Sequence, residues 1–281
     1  MAKRIVYIGS FNNYKKGDLI NRAITDLKNN RGNEFYYILP NGELLREYRS
    51  CFIGQVGQAF EINLFTFDDI VSRVLEGDFT HIIDNPTKNL ILRNLIKSLT
   101  DEGMLTYYKN HYDMQGFVKS MNDILGDIKR SLVYPDEYLA RCPKNPFYEE
   151  IGLIYAEYER ILENLHVTDR EGAYLKSARL LEQKEIFSHV KTMIIDEFYD
   201  FRPIELAILE QLTKTGMDII INMPYLTDNK SIVIDKTLEV LSKLGFQIEY
   251  IYDEPSNVFE KLGKYLFVDE VDVLKVEDEI S

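Results

Sequence analysis

The sequence is poor in cysteine and has no long apolar run, and both shortages exclude classes of protein. Its 281 residues contain two cysteines, Cys51 and Cys142. Two distant cysteines supply neither a disulfide framework nor a metal cluster, so we expect a reducing cytoplasm. No apolar run approaches 18 residues, which argues against a membrane span. The opening residues MAKRIVYIG lack the apolar core of a signal peptide and enter a strand pattern at once.

Histidine is also scarce, and the motifs of nucleophilic enzymes are absent. The four histidines show no metal-ligand spacing, and we interpret them as surface or internally hydrogen-bonded side chains: His81, His111, His166 and His189. There is no Gly-x-Ser-x-Gly run and no Cys/His pairing that would indicate a nucleophile. The sequence therefore offers no serine or cysteine hydrolase site.

Positive charge is in deficit, because 33 Lys and Arg face 46 Asp and Glu, a net charge of −13. This balance disfavours a free-standing, non-specific nucleic-acid binder, whose affinity depends on phosphate contacts. The charge is uneven. Residues 1–50 hold nine basic and five acidic residues, whereas residues 251–281 hold three and nine. A local basic face near the N-terminus stays open, and we interpret the acidic tail as solvated charge.

The periodicity predicts an α/β fold with a helical insertion. Short apolar runs alternate with helical patterns up to residue 80, which indicates a parallel sheet. Between residues 81 and 185 the apolar residues recur at helical spacing, as at 92, 95, 96 and 99. We interpret these stripes as core positions. The predicted organisation is an α/β domain at 1–80 and 186–281, with an inserted helical subdomain at 81–185.

The stretch Val190–Phe198 organises the functional interpretation. An apolar run ending in the adjacent acids Asp196 and Glu197 is typical of a buried parallel strand. Ligands of open α/β sheets bind at the carboxyl ends of strands. In P-loop NTPases an acid there helps to hold Mg²⁺, and the neighbouring Glu197 is a candidate to activate a water. The alternative is a buried strand that emerges into solvent at two acids.

A phosphate loop requires Gly-x-x-x-x-Gly-Lys-[Ser/Thr] after the first strand. Gly9 and Lys15 match this pattern, whereas Tyr14 replaces the second glycine and Lys16 replaces the hydroxyl residue. A side chain at the glycine position would strain the loop by about 1–3 kcal/mol, and a lysine at the hydroxyl position would repel the metal. A chance match is the alternative; otherwise the pattern indicates a P-loop (RecA-like) fold whose ATP site has decayed.

Two further residue groups are candidates for contact with nucleic acid. Tyrosines can stack on bases, but core packing is the favoured interpretation for Tyr36, Tyr37, Tyr107 and Tyr108. Basic residues near the N-terminus are candidates for phosphate contacts, with ordinary solvated side chains as the equal alternative: Lys3, Arg4, Lys15, Lys16, Arg46 and Arg49.

Several segments together resemble one known family. They read ILPNGELLREYRS, NLFTFDDIVSRVLE, MQGFVKSMNDILGDIKRSLVYPDEYL and MIIDEFYDFRPIELAILEQL. Their order and spacing are similar to the N-terminal helicase-like region of AddB, one half of a bacterial ATP-dependent helicase/nuclease that processes double-strand DNA breaks. The resemblance extends over most of the chain. The Phe-x-x-Phe-x-Pro-x-Glu run formed by Phe198, Phe201, Pro203 and Glu205 is its most distinctive part.

The resemblance implies a RecA-like domain with an inserted helical subdomain, DNA as ligand and an AddA-like motor protein as partner in a heterodimer. In this family the helicase-like part is associated with inspecting single-stranded DNA for the Chi sequence. The nuclease of AddB carries an iron–sulfur cluster on four cysteines. With two cysteines here, we expect no such cluster and no nuclease activity from these residues.

The family's site residues transfer only to matched positions. Gly9, Tyr14, Lys15 and Lys16 fall on the phosphate loop, Asp196 on the Mg²⁺ acid and Glu197 on the catalytic acid. Active helicases carry a Gly-Asp-x-x-Gln run after the next strand, whereas residues 222–226 read NMPYL. ATP and Mg²⁺ therefore stay candidate cofactors only, and we expect little or no hydrolysis. The alternatives are an active ATP-hydrolysing helicase domain and a scaffold that only docks the partner.

Overall fold

The apolar runs of the sequence form strands of a parallel sheet, as the alternation predicted. The computed structural model describes residues 2–9, 14–57, 62–76, 78, 80–224 and 232–251. The chain divides into two units. Unit 1 consists of residues 1–66, 188–200 and 216–281, and unit 2 consists of residues 67–187 and 201–215. No helix in the described part of the chain has the length and apolar character needed to cross a membrane.

Eight strands and ten helices occupy the described residues. In chain order they are β1 (Arg4–Gly9), α1 (Tyr14–Lys28), a short 3-10 turn (Gly32–Glu34), β2 (Phe35–Ile38), α2 (Gly42–Val56), β3 (Leu64–Phe65), α3 (Phe67–Leu75), β4 (His81–Ile82), α4 (Asn85–Asp101), α5 (Gln115–Arg130), α6 (Pro135–Arg141), α7 (Pro146–Asn164), β5 (Val167–Thr168), α8 (Arg170–Gln183), β6 (Thr192–Asp196), α9 (Pro203–Thr213), β7 (Asp218–Pro224), α10 (Ile232–Lys243) and β8 (Gln247–Tyr250).

Unit 1 is built on a six-stranded sheet with the order β3-β2-β6-β7-β1-β8. Every described pairing in this sheet is parallel. The central strands are apolar over most of their length, as is typical of parallel strands that are buried on both faces. Strand β6, for example, is buried at all five positions. Since parallel strands end at one edge, the residues after β1, β6 and β7 share the carboxyl edge of the sheet.

Unit 2 is mostly helical, with β4 and β5 forming a two-stranded parallel sheet. Its core gathers the stripes predicted from helical spacing, including Leu92, Ile96, Leu125 and Ile154. Asp84 caps the amino end of helix α4, where its side chain accepts a hydrogen bond from the Thr87 amide at 2.9 Å. The helices therefore pack through the residues that the 3.6-residue period selects.

A buried ion network ties four helices of unit 2 together. Asp169, which precedes α8, accepts hydrogen bonds from Lys129 Nζ at 2.8 Å on both carboxylate oxygens and lies 2.9 Å from Lys88 Nζ. Lys129 also lies 2.5 Å from Glu159 Oε1 on α7, and Lys88 lies 3.6 Å from Glu171. Both lysine side chains are at most 2% exposed. Burial of two ammonium groups requires such carboxylate partners.

The α/β class and the parallel sheet predicted from the sequence are confirmed. The division into units differs from the predicted boundaries at 80/81 and 185/186, since unit 2 begins at residue 67, ends its first segment at 187 and includes α9. Helix α8 was not predicted, because its apolar residues do not form a clear stripe. The sequence pattern also predicts a helix at 257–266, a segment that lies outside the described residues. The RecA-like character of the sheet stays a prediction.

Candidate functional site: the carboxyl edge of the sheet

Asp196 ends β6 and is the centre of the polar groups at the carboxyl edge of unit 1. Its side chain is 0% exposed. Strand register places it opposite Asn222 of β7, and the Asn222 amide donates to Asp196 Oδ1 at 2.9 Å. The backbone N–H of Glu197 donates to the same oxygen at 2.9 Å. One carboxylate oxygen is thus held by two donors from the sheet edge itself.

Two tyrosines hold the other oxygen. The Tyr37 hydroxyl on β2 donates to Asp196 Oδ2 at 2.5 Å, and the Tyr48 hydroxyl on α2 donates to it at 3.1 Å. Helix α2 is fixed at its start by Asn41, whose side chain accepts from the amides of residues 43 and 44 at 3.0 Å. Because a phenol has one proton, Tyr48 shares it between Asp196 Oδ2 and Glu197 Oε1, which lies 2.9 Å away. Asp196 therefore faces four donors, one of which it shares with Glu197.

Every donor to Asp196 is electrically neutral, and this sets the pKa of its carboxyl group. Burial raises the pKa of Asp196, and the hydrogen bonds from Tyr37 and Asn222 offset only part of the rise. The same burial, reinforced by the neighbouring acid, raises the pKa of the Tyr37 and Tyr48 hydroxyls. The tyrosines therefore remain protonated donors at neutral pH.

Glu197 is held in an unusual backbone conformation. Its φ is 65°, in the left-handed region that non-glycine residues rarely occupy, and it is 3% exposed. Glu197 Oε1 accepts from the Tyr48 hydroxyl at 2.9 Å and forms an ion pair with Lys16 Nζ near the start of α1. The ammonium also lies 5.7 Å from the Tyr48 ring centroid. Lys16 thus places a fixed positive charge against the second acid.

The structure brings Lys16, Asp196 and Glu197 together, as expected if β1 and β6 end at one edge. Gly9 ends β1 opposite Pro224. Residues 10–13 and the Tyr14 side chain lie outside the described residues, so the conformation of the predicted phosphate loop is not described. Lys15 Nζ lies 3.8 Å from Asp18 Oδ2 and 5.0 Å from the Tyr7 ring centroid.

Sequence reasoning missed Tyr37, Tyr48 and Asn222 as members of this network. Buried tyrosines need a partner for the hydroxyl, and that rule applied to Tyr37 would have pointed to a buried acceptor. Core packing, the favoured interpretation of the four candidate tyrosines, is confirmed for three of them: Tyr36, Tyr37 and Tyr108 are at most 6% exposed. Tyr107 is 53% exposed and its ring contacts Phe147 at 5.4 Å between centroids.

The described residues do not fit a Mg²⁺ ion. Magnesium takes oxygen lone pairs in a near-octahedral arrangement, but the lone pairs of Asp196 are engaged by Tyr37, Tyr48, Asn222 and a backbone N–H. The ammonium of Lys16 stands where a cation would have to approach Glu197. In the described part of the chain, no group of three or more His, Cys, Asp or Glu side chains is arranged to hold a metal.

Comparison with known proteins finds one family and a set of relatives. The family described as "ADDB, N-terminal" matches residues 6–240. Three relatives are each named as the B subunit of an ATP-dependent helicase/deoxyribonuclease. The protein of Thermoanaerobacter sp. (strain X514) is 25% identical over 190 residues, which cover 63% of this chain and 16% of the relative. The Clostridium kluyveri protein is 24% identical over 225 residues (73% and 19%), and the Exiguobacterium sibiricum protein 26% over 227 residues (76% and 19%). The chain thus spans less than a fifth of these relatives.

Proposed function

Because the chain belongs to the family of AddB N-terminal regions, we propose that it is the helicase-like N-terminal part of an AddB protein in an ATP-dependent helicase/nuclease, with an internal polar network in place of the nucleotide site. It works in the cytoplasm on DNA ends during double-strand break repair and recombination. It binds single-stranded DNA and an AddA-like motor protein, and hydrolyses little or no ATP itself.

One observation carries the claim about ATP. At the edge where a P-loop enzyme would hold Mg²⁺, Lys16 is ion-paired with Glu197, and Asp196 is surrounded by four neutral donors. Removing these interactions to admit a metal would leave buried polar groups unsatisfied, which costs about 1–3 kcal/mol for each group. The network therefore competes with Mg²⁺ rather than preparing a site for it.

The relatives are named as the B subunit of an ATP-dependent helicase/deoxyribonuclease, and this name supports the role within a helicase/nuclease. If the motor activity lies in the partner, unit 1 retains the helicase-like shape as a surface for DNA and for that partner. Arg46 and Arg49 on α2 remain candidates for phosphate contacts, and Arg49 is exposed. Lys3 and Arg4 lie at the start of β1, at the amino edge of the unit 1 sheet. The backbone amide of Lys3 donates to Asp218 at 2.7 Å.

The ATP claim is tested with three forms of the protein: wild type, Glu197→Gln and Lys16→Thr. We expect no Mg²⁺-dependent ATP turnover by wild type above that of Glu197→Gln, and no Mg²⁺-ATP shift in its melting temperature. Lys16→Thr removes the ammonium and supplies the missing hydroxyl, so Mg²⁺ alone should raise its melting temperature. Lys15→Thr, beside an exposed Asp18, is the matched control and should not gain this response.

Two outcomes would replace the proposal. ATP turnover by wild type that disappears in Glu197→Gln would establish an active hydrolase.

The DNA claim is tested separately by fluorescence anisotropy with labelled single strands at several salt concentrations, with and without the motor protein. We expect salt-sensitive binding that the partner tightens. Co-purification with the partner, combined with no contribution to DNA binding at low salt, would instead indicate a docking scaffold.

A further inference from the structure

A polar cleft lies at the amino edge of the sheet in unit 1, where β6 begins. Its volume is about 350 Å³, and it is lined by the basic residues Arg22, Arg31 and Lys191 together with Asp26, Glu34 and two threonines. All of these residues belong to unit 1. The cleft is at the opposite end of the strand from Asp196, so it is separate from the network at the carboxyl edge.

The cations of the cleft outnumber its carboxylates by one. Arg31 Nη2 lies 2.6 Å from Asp26 Oδ1, and Lys191 Nζ lies 2.6 Å from Glu34 Oε1. Arg22 donates to the Thr192 hydroxyl at 3.1 Å, and among the described residues no carboxylate pairs with it. A net positive cleft is an exception in a chain whose formal charge is −13.

Helix-end electrostatics account for one of these cations. Arg31 follows the carboxyl end of α1, where a positive side chain is favoured by the helix dipole. Arg22 lies inside α1, more than a turn before its end at Lys28, so the dipole does not explain its position. Its guanidinium carries five N–H donors in a planar fork that matches a phosphate group, and a single hydroxyl uses one of them.

We infer that this cleft binds a phosphate group through Arg22 and Lys191, with the Thr192 hydroxyl as a further donor. The chemistry required is a tetrahedral anion with several acceptor oxygens, which a forked guanidinium and an ammonium recognise together. Such a group comes either from free phosphate or from the backbone of single-stranded DNA. The DNA source rests on the proposed function, whereas the phosphate chemistry does not.

The test compares Arg22→Gln/Lys191→Gln with the charge-matched control Lys236→Gln/Lys243→Gln on α10. Each protein is titrated with inorganic phosphate while its melting temperature is followed, and with a fluorescein-labelled oligodeoxythymidine at several salt concentrations. For wild type and the control we expect phosphate to raise the melting temperature by a few degrees. The cleft variant should lose that rise.

In the DNA titration, loss of the contact with this one phosphate should lower the slope of log affinity against log salt by about 0.7. The control should keep the wild-type slope. Arg22→Lys is a second variant that keeps the charge and the fold but loses the planar fork, so its phosphate response should fall between wild type and the double variant. A double variant that is unfolded by circular dichroism is replaced by Arg22→Lys for this comparison.

The outcomes separate the cleft from the proposed function. Equal phosphate responses and equal salt slopes in wild type and the cleft variant would overturn the inference and leave DNA binding elsewhere intact. A phosphate response confined to wild type and the control, without a change in DNA slope, would assign the cleft to free phosphate. If wild type binds no DNA, the DNA part of the proposed function fails, and the phosphate titration alone decides the inference.

Discussion

Each unit contains a buried aspartate that accepts a hydrogen bond from a tyrosine hydroxyl, but the pKa values of the two carboxyl groups are shifted in opposite directions from the ordinary value. Asp196 in unit 1 is 0% exposed and Asp169 in unit 2 is 1% exposed. Burial raises the pKa of Asp196. Burial acts in the same sense on Asp169, but the ammonium groups of Lys129 and Lys88 overcome it and hold the pKa of that carboxyl well below its usual range.

The difference lies in the charge of the donors, since burial is the same. Asp196 accepts from two phenols, an amide and a backbone N–H, all neutral. Asp169 accepts from Lys129, lies 2.9 Å from Lys88 and receives the Tyr158 hydroxyl at 3.2 Å. Hydrogen bonds satisfy lone pairs, but only a nearby cation offsets the cost of burying the negative charge.

The two networks should therefore respond differently to the loss of one residue. In unit 2 buried carboxylates are paired with buried ammonium groups, and removing one residue leaves its partner's charge buried and unpaired. In unit 1 the cation described beside the two acids is Lys16, and it pairs with Glu197 rather than Asp196. Substitutions in unit 2 should accordingly be costly, and those at Asp196 mild. Three experiments test this contrast, in order of decreasing effect.

The largest effect is expected from Asp169→Asn in unit 2. The substitution leaves Lys88 and Lys129 buried with too little negative charge, which should lower the free energy of unfolding by about 3–5 kcal/mol. Urea denaturation, with hydrogen exchange of the α5 and α7 amides to localise the loss, measures it. The control Asp127→Asn affects a partner of Arg130 that is 75% exposed and should cost less than about 1 kcal/mol. Equal losses in the two variants would show that Asp169 is not the hub.

An intermediate effect is expected from Lys16→Gln in unit 1. It leaves the carboxylate of Glu197 buried with Tyr48 as donor but without its ammonium, and the lysine side chain is 22% exposed. We expect a loss of about 1–3 kcal/mol, below that of a fully buried pair because water can reach the site. Its neighbour Lys15→Gln, whose partner Asp18 is 63% exposed, should change stability much less. A loss no greater than that of Lys15→Gln would mean that the Lys16–Glu197 ion pair stabilises the fold no more than a solvent-exposed pair does.

From the sequence we could predict which acids lie at the carboxyl edge of the sheet, but not which side chains hydrogen-bond to them. An apolar run ending in Asp196 and Glu197 is a local pattern, and the position of Lys16 after the first strand follows from alternation of strands and helices. Tyr37, Tyr48 and Asn222 come from three other elements, and only the strand order brings them to Asp196. Such a network depends on tertiary contacts that periodicity does not encode.

The ion network around Asp169 in unit 2 was not predicted, for a related reason. Lysines at positions 88 and 129 lie on amphipathic helices, where the usual lysine is solvated. The local signal available was Asp169 itself, which caps α8 by accepting from the Gly172 amide at 2.7 Å. Asp is a favoured residue at the start of a helix, so the cap was predictable. Its second role as acceptor for two buried ammonium groups was not.

The smallest effect is expected from Asp196→Asn, and its sign depends on pH. The amide oxygen can still accept from Asn222 and the Glu197 N–H, and the tyrosine hydroxyls can accept from the new NH₂ group, so stability should change by less than about 1.5 kcal/mol. The folded-state pKa of Asp196 is raised. The carboxyl group therefore contributes stability below its unfolded pKa of about 3.9, and this contribution is lost as pH rises through the folded-state pKa.

Asp196→Asn removes that titration, so its stability relative to wild type should increase as pH rises from about 4 through the folded-state pKa of Asp196. Asp169 behaves in the opposite sense: its lowered pKa gives stability above the unfolded pKa that is lost as pH falls. Urea midpoints of wild type and Asp196→Asn across this pH range measure the difference. A relative stability of the variant that falls as pH rises would mean that Asp196 is compensated by a cation in solution, and the contrast between neutral and charged donors would not hold.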